Sequence, residues 1–337
     1  MAVWLGAIES NDGTVISFIE PSITLTKRIN GASTASLSVN ARSSQVGDLG
    51  VANRSMTLYR NNERVLRGKI WEPLFYRPDF VTFDVHDPWS TLGHRRVRTP
   101  ITFTAQDAGE IAWDLIAAQN ALSSTHLSEG TITASDTQTV TYDRGKIVSE
   151  AILELADAAN FYFRLDPVAT AGYHAEFVVE YPDSGDEQVA LRFEYGAGTI
   201  SNISEFEVAV YLPRNRITTT GTVSEGESSN SEVVSDASSI STYGLFEHEI
   251  AFSSQGDGTL ADSATAELRT TPAKTYSITP HIDAPMLWDD FVIGDTIGFR
   301  ILNGDLDESG EARIVEATVN VTDGGSEYMS GLVIQVV

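Results

Sequence analysis

The chain has 337 residues, of which 42% are hydrophobic and 20% charged, and its formal net charge is −25. This length and composition predict two to four domains with sizeable cores and exclude global disorder. Such an acidic surface repels phosphate backbones, which argues against a protein that binds nucleic acid tightly.

Cysteine is absent, which excludes disulfides, cysteine-based zinc sites and thiol nucleophiles. No run approaches eighteen apolar residues, so we expect no membrane span. The start of the chain, MAVWLGAIESNDGTV, lacks a basic segment followed by an apolar core, so we expect no signal peptide and synthesis in a host cytoplasm. The scarcity of lysine, together with the acidity, is consistent with a salt-loving or GC-rich host.

The first 88 residues alternate between apolar and polar side chains. SITLTKRI and ASLSVNA both have a period of two, which predicts strands with one buried face. Asn61 and Asn62 suit the positive φ angles of a tight hairpin turn between two further strands. Gly68 follows on the second of these strands, where it indicates a bulge or a close approach of two backbones.

Residues 89–198 predict an α+β region. TAQDAGEIAWDLIAAQNAL reads as a helix capped by Thr104, and KIVSEAILELADAAN reads as a second helix. Their predicted apolar faces are Ala108, Ile111, Ala112, Leu115 and Ile116 in the first helix, and Ile147, Ala151, Leu155 and Ala158 in the second. The strand FYFRLDP follows, and AEFVVEYP and ALRFEYG are predicted to form a hairpin across DSGDEQ.

The remainder of the chain returns to strand patterns. ISEFEVAVYLPRNRITTTGTV alternates, with Phe206, Val208 and Val210 on one face. Residues 224–241 are rich in serine and acids and predict an exposed, mobile loop. A short helix is predicted in LADSATAELRTTP, followed by the strands TYSITPHID, DTIGFRIL, ARIVEATVNVT and SGLVIQVV.

Catalytic chemistry finds little support in the sequence. Glu247 and Glu249 flank His248, but a strand places the two glutamates on one face and the histidine on the other, which favours a solvated strand. The sequence contains no HExxH pattern, nucleophile elbow or Walker loop. The pair Asp289 and Asp290 could serve glycoside chemistry, but beside a tryptophan a surface turn is favoured. We therefore predict no catalytic residue and no cofactor, although the spatial partner of a catalytic histidine is not visible in a sequence.

One acidic segment has the spacing of a calcium loop. In DLDESGEARIVE, the candidate ligands are Asp305, Asp307, Ser309 and Glu316, with a glycine between them. Against this hypothesis, Arg313 occupies a coordinating position and the flanking residues read as strands. The favoured interpretation is the acidic tip of a hairpin, without a metal.

The order of these segments resembles the tail hub proteins of tailed phages and related viruses, also called baseplate hub or distal minor tail proteins. Four segments support the resemblance: the early β block with VLRGKI, the helices ending in ILELADAANFYFRLDP, the strand NRITTTG, and the last part of the chain. In that last part, the matching features are Tyr243-Gly244, Glu247, the helix end from Leu268 to Pro272, Gly294-Asp295 and Arg313-Ile314.

The resemblance implies a mainly β, multidomain fold with an α+β insert, two barrel-like tube domains and two peripheral domains. We predict a first tube domain at 1–88, the α+β domain at 89–198, a second tube domain at 199–260 and a C-terminal β-domain at 261–337, part of which completes the second barrel. It further implies a non-enzymatic homotrimer at the virion tail tip, which continues or caps the tail tube and adapts sixfold to threefold symmetry.

In this role, the chain would contact the tail tube, distal tail proteins and fibre or spike proteins, and DNA would pass without specific binding. An alternative is a carbohydrate- or receptor-binding β-protein of the tail tip, which would expose a cluster of aromatic side chains. A peptidoglycan-cleaving hydrolase fused to a hub ranks last, because no segment of the sequence is left to supply the hydrolase domain.

Overall fold

The computed structural model describes residues 2–10, 13–49, 54–170, 172–196, 201–222, 230–253, 260–261, 264–265 and 268–336. It confirms a mainly β chain with an α+β insert. The first block contains seven strands and two short helices: β1 (Trp4–Glu9), β2 (Val15–Ile19), β3 (Ser22–Arg28), β4 (Thr34–Asn40), α1 (Val46–Leu49), β5 (Ser55–Arg60), β6 (Glu63–Tyr76), β7 (Phe80–His86) and α2 (Trp89–Leu92).

The alternating pattern of the first block is confirmed. In β3 and β4, every second side chain is buried, and these are the apolar ones apart from Lys27. Asn61 and Asn62 have φ angles of 52° and 69° in the turn between β5 and β6, as the hairpin requires. A Cβ atom on Gly68 would lie 2.0 Å from the carbonyl oxygen of His86, so this glycine permits the close approach of β6 to the end of β7.

The insert packs two helices on two small sheets. Its elements are β8 (Ile101–Asp107), α3 (Ala108–Asn120), β9 (Leu127–Ile132), β10 (Thr137–Tyr142), α4 (Val148–Ala159), β11 (Tyr162–Pro167) and β12 (Ala175–Glu180). Strand β10 pairs with β8, and β12 lies between β11 and β9. The predicted apolar face of α3 is buried as expected, and α4 buries its own face against the same core.

Two details of the helix predictions are wrong. Thr104 lies within β8, and the residue that caps α3 is Asp107, whose Oδ1 accepts a hydrogen bond from the Glu110 amide at 3.1 Å. Ala158 is exposed, whereas Ala159 is buried. The buried stripe of α4 includes Val148 and Ile152, so it is rotated by about one residue from the predicted one.

The last part of the chain contributes a second block of strands to the sheet of the first. These strands are β13 (Glu187–Tyr195), β14 (Ile203–Tyr211), β18 (Ala273–Pro280), β19 (Thr296–Asn303), β20 (Leu306–Val321) and β21 (Glu327–Val336). The resulting 13-stranded sheet has the order β14-β18-β21-β20-β3-β4-β7-β6-β5-β1-β2, with β19 pairing β20 and β13 pairing β19. The buried apolar residues of both blocks form one hydrophobic core.

The predicted hairpin between AEFVVEYP and ALRFEYG is wrong. Strand β12 stays in the insert, whereas β13 pairs in parallel with β19 of the main sheet. Asp295, which is 1% exposed, stabilises the start of this pairing. Its carboxylate accepts hydrogen bonds from the amides of Asp186 at 2.8 Å and Val292 at 3.0 Å. The preceding Gly294 has a φ of 99°, which confirms the predicted Gly-Asp turn.

A separate three-stranded sheet lies between β14 and β18 in the sequence. It consists of β15 (Arg216–Thr222), β16 (Asn230–Ser235) and β17 (Glu247–Ser253), with the helix α5 (Ala237–Tyr243) before β17. The expected loop at 224–241 is therefore wrong for residues 230–241, because β16 gains backbone pairing to β15 and Asp236 caps α5 through the Ser239 amide at 2.6 Å. Residues 223–229 lie outside the described residues, as does part of the helix predicted in LADSATAELRTTP.

Strands from different predicted domains pair in one sheet. The predicted domain boundaries therefore remain a prediction. Strand β13 falls in the predicted α+β domain but pairs in the main sheet, and β14 is separated from β15–β17. In the described part of the chain, no helix combines the length and apolarity that a membrane crossing requires.

Replacing Gly68 by alanine tests the close approach of β6 and β7. The added methyl group would overlap the His86 carbonyl, so we expect Gly68→Ala to lower the free energy of unfolding by about 2 kcal/mol or more. The control is Gly310→Ala, whose Cβ would lie at an ordinary 3.6 Å from Phe299. Chemical denaturation of both variants measures the difference, and equal stability of the two would contradict the described register.

Candidate functional site: the polar face of the sheet

Seven adjacent strands, β14, β18, β21, β20, β3, β4 and β7, share a solvent side, which we call the polar face. Directly paired residues of antiparallel strands point to the same side of a sheet, so the register defines this face. One row across the strands consists of Glu207, Ser277, Val333, Glu316 and Arg28, and a second of Asn320, Thr24, Ser36 and Asp84.

Serine and threonine dominate the centre of the polar face. Besides the two rows, it presents Thr318, Thr26 and Thr34 in a third row, and Ser22, Ser38 and Thr82 in a fourth. At strand spacings of about 4.8 Å, seven strands make a surface about 30 Å wide. Most aliphatic side chains of the same strands point to the opposite side and contribute to the core, whereas Val333 lies in the first row of the polar face.

Side chains on the polar face bond to one another across the junction of the two blocks. Thr24 Oγ1 donates to Asn320 Oδ1 at 2.7 Å, and the hydroxyl oxygens of Thr26 and Thr318 are 3.0 Å apart. Arg28 Nε lies 2.6 Å from Glu316 Oε2. The charge of the Arg28 guanidinium is therefore balanced by the Glu316 carboxylate.

At one end, the polar face forms a concavity of about 660 Å³ beside β14 and β18. Glu205 and Glu207 line it and are exposed, together with hydroxyl groups from Ser277 and Thr318. The carboxylates of Glu205 and Glu207 repel a phosphate backbone. The face can therefore border a polyanion without retaining it.

The structure does not bring the predicted calcium ligands together. Asp305 lies in the turn between β19 and β20, whereas Asp307, Ser309 and Glu316 lie along β20 itself. From Asp307 to Glu316, an extended strand spans about 30 Å, so one ion cannot contact both. Asp307 Oδ1 lies 3.5 Å from Arg300 Nε, and Glu316 forms an ion pair with Arg28. Asp305 therefore lies at the tip of the hairpin that β19 and β20 form.

The other acidic candidates occupy surface positions. Glu247 and Glu249 are exposed on β17, whereas His248 on the opposite face is half-buried, as predicted for a solvated strand. Asp289 accepts a hydrogen bond from Arg60 Nη1 at 2.9 Å. Asp290 accepts one from the Met286 amide at 2.8 Å, so Asp290 stabilises a turn and Asp289 connects that turn to β5. The described residues contain no group of three or more histidine, aspartate or glutamate side chains placed to hold a metal.

The aromatic cluster expected for a carbohydrate-binding surface does not form from tryptophan. Trp4 and Trp89 are 6% and 5% exposed, and the other three tryptophans are half-buried. Trp4 donates its indole N–H to Glu327 at 2.7 Å and packs edge-on against Trp288. These rings join the first block to the second.

The structure also assembles a histidine pair that sequence spacing did not reveal. The rings of His126 and His174 stack with centroids 4.3 Å apart and an angle of 8° between their planes. His126 Nδ1 donates to the Gly172 carbonyl at 3.1 Å, and His174 Nε2 lies 3.2 Å from Ser55 Oγ on β5. The pair therefore joins the insert to the first block.

Arg67 on β6 completes this joint. Its Nη1 donates to the carbonyl oxygens of Val168 at 2.9 Å and Tyr173 at 2.6 Å, and its Nε donates to Glu9 at 3.0 Å. Burial lowers the pKa of His174 to about 3, and the nearby His126, Arg67 and Lys69 act in the same direction. The joint is therefore stable with a neutral imidazole and opposes its protonation.

Comparison with known proteins identifies the fold. No protein-family model matches the chain, and no curated protein matches its sequence. Among solved structures, it is similar to a tail protein from Neisseria meningitidis MC58, with a TM-score of 0.61, 11% identity, and 98% of this chain and 96% of the other covered.

Two prophage proteins are similar over nearly their whole length. For the tail protein gp18 of a Listeria monocytogenes EGD-e prophage, the TM-score is 0.58 at 12% identity, covering 99% of this chain and 94% of the other. For the 43 kDa tail protein of prophage MuSo2 from Shewanella oneidensis, the TM-score is 0.56 at 14% identity, covering 99% and 97%. The chain therefore has the fold of phage tail proteins.

The histidine pair predicts a dependence of stability on pH. Unfolded His174 takes up a proton below about pH 6.5, whereas the folded protein resists protonation down to about pH 3, so the stability contributed by this residue is lost as the pH falls. Between about pH 7.5 and pH 5, we expect the wild-type free energy of unfolding to fall by about 2 kcal/mol more than that of His174→Phe.

Urea denaturation at the two pH values measures this difference. The exposed His281, changed to phenylalanine, serves as the control and should retain the wild-type dependence. An unchanged dependence in His174→Phe would show that the buried pair is not the origin of the effect.

Proposed function

We propose that this chain is a structural tail-tip protein, a baseplate hub that continues or caps the tail tube, with the polar face lining the passage for DNA. The observation that supports this proposal most directly is the continuity of that face, because seven strands present mostly hydroxyls and carboxylates to one side and Arg28 is ion-paired to Glu316. The similarity to phage tail proteins over nearly the whole chain supports this assignment.

In the proposed hub, three copies form a ring around the passage. Each copy contributes both blocks of the main sheet, so three chains present six wall segments to a sixfold tube and a threefold surface to the tip. The insert and the small sheet of β15–β17 then lie outside the wall, where they are available to distal tail, fibre or spike proteins. The role is mechanical and non-enzymatic, and the chain functions in the virion after synthesis in the host cytoplasm.

Localisation in an assembled particle tests the proposal. An antibody fragment raised against the purified protein should label intact virions at the distal end of the tail and nowhere along the tube. The same fragment should prevent attachment of tips to tubes when added before assembly. Label on the capsid, or spread along the tube, would contradict a hub at the tip.

Reversing charge on the polar face should slow the passage of DNA. We expect Glu205→Lys with Glu207→Lys to turn a repelling wall into one that binds phosphate, and to slow genome release by about tenfold. The matched control is Glu247→Lys with Glu249→Lys, two exposed glutamates with the same spacing on the separate sheet.

Release is measured by the fluorescence of a DNA dye after triggering purified particles. The purified polar-face variant should also retain duplex DNA on a column at low salt, with a retention that falls as salt rises. If both variants release DNA like the wild type, the polar face does not border the passage.

A further inference from the structure

A cleft of about 590 Å³ lies where the first block, the insert and the second block meet. Its walls include Lys27 and Arg64 of the first block, Arg164 of the insert, and Trp288 and Ile293 of the second block. Sites for small molecules commonly have volumes of about 300–1,000 Å³ and lie where parts of a protein meet. Lys27 does not belong to the polar face, so the proposed wall function leaves its presence unexplained.

Lys27 is the one charged side chain on the buried face of β3, and it is 8% exposed. Its Nζ donates to the Val65 carbonyl at 3.3 Å, which is its one hydrogen bond among the described residues. Burial lowers the pKa of Lys27, and the carboxylates of Asp87 and Asp166 oppose this shift from a distance, without a hydrogen bond to it. An ammonium group has three donors, so this buried cation lacks a close anion.

Two arginines also line the cleft, and they differ in their partners. Arg164 Nε donates to Asp166 Oδ1 at 3.0 Å, and its Nη1 donates to Glu180, so this cation is paired within the chain. Arg64 is exposed and lies over the ring of Tyr59, and it forms no ion pair with a carboxylate of the described residues. Because Arg64 directly precedes the residue whose carbonyl Lys27 contacts, the two cations without a close anion are neighbours.

The rest of the lining suits a ring with hydroxyl groups. The half-buried Trp288 offers an apolar surface, and its φ of 70° is a conformation that bulky residues adopt mainly where function or packing imposes it. Thr133, Glu180 and Asp186 also line the cleft and can form hydrogen bonds with hydroxyl groups. The same carboxylates repel a ligand with several negative charges.

We propose that this cleft binds a small sugar acid, with its carboxylate on Lys27 and Arg64 and its ring against Trp288. A single carboxylate supplies the anion that the buried ammonium lacks. A neutral sugar leaves Lys27 unpaired, and a polyanion such as DNA meets the acidic part of the lining. The site belongs to one chain, so it adds ligand binding to the mechanical role and does not depend on the proposed ring.

Saturation-transfer NMR on the purified chain tests the site, with glucuronate as the probe and glucose as its uncharged counterpart. For a ligand of this size we expect glucuronate to bind with a Kd of about 1 mM. Glucose should bind at least about tenfold more weakly, because it leaves the buried cation unpaired. Both titrations are made at one ionic strength, so that screening of charges is the same.

Three variants locate the bound probe. Lys27→Met keeps a long side chain without the charge, and we expect it to bind glucuronate at least about tenfold more weakly. It should unfold at the same urea concentration as the wild type or a higher one, because an apolar side chain suits the buried position. Arg64→Gln should weaken binding by about threefold, since an exposed cation contributes less. The matched control is Arg98→Gln, which removes an exposed arginine outside the cleft and should bind like the wild type.

Three results would each overturn the proposal. Equal affinity for glucose and glucuronate would show that the charge of the ligand is not recognised. Unchanged glucuronate binding in Lys27→Met would place the probe elsewhere, and no saturation transfer at about ten times the expected Kd would show that the cleft does not take a sugar acid. If Lys27→Met does not fold, the comparison of Arg64→Gln with Arg98→Gln decides, because both change exposed side chains.

Discussion

The long strand β20 determines the arrangement of the molecule. Along its 16 residues it pairs with β19, then β21, and at its end with β3, so it joins the last strands of the chain to the first. Since a strand alternates its side chains, this one register places the apolar residues of both blocks in one core and their hydroxyls on one outer face. A shift by one residue would exchange the two faces.

Around this strand, polar joints fix the remaining parts in position. Arg60 binds Asp289 and Glu327 and so connects β5 to the second block. Arg67 and the stacked histidines connect β5 and β6 to the insert. Because the side chains of Arg60 and Arg67 are buried, breaking either joint leaves a buried charge without its partners, which costs more than the loss of a surface ion pair.

The proposed hub makes use of both sides of this construction. The core side gives a stiff wall, and the outer side gives a surface that repels DNA without specific contacts. Glu205 and Glu207, which line the concavity, are two of the acidic residues behind the net charge of −25.

The sequence by itself determined the local features: the alternation in β3 and β4, the Asn61-Asn62 turn, the buried face of α3 and the Gly294-Asp295 turn. Each depends on residues close together in the chain, where side-chain period and backbone preference act directly. Only the tertiary structure decided that β13 pairs with β19 and not with β12. The same holds for the formation of β16 and α5 by the serine-rich segment and for the stacking of His126 on His174. These outcomes depend on contacts between distant segments, and the calcium spacing failed for the same reason: the extended pairing of β20 separates side chains that a loop would have gathered.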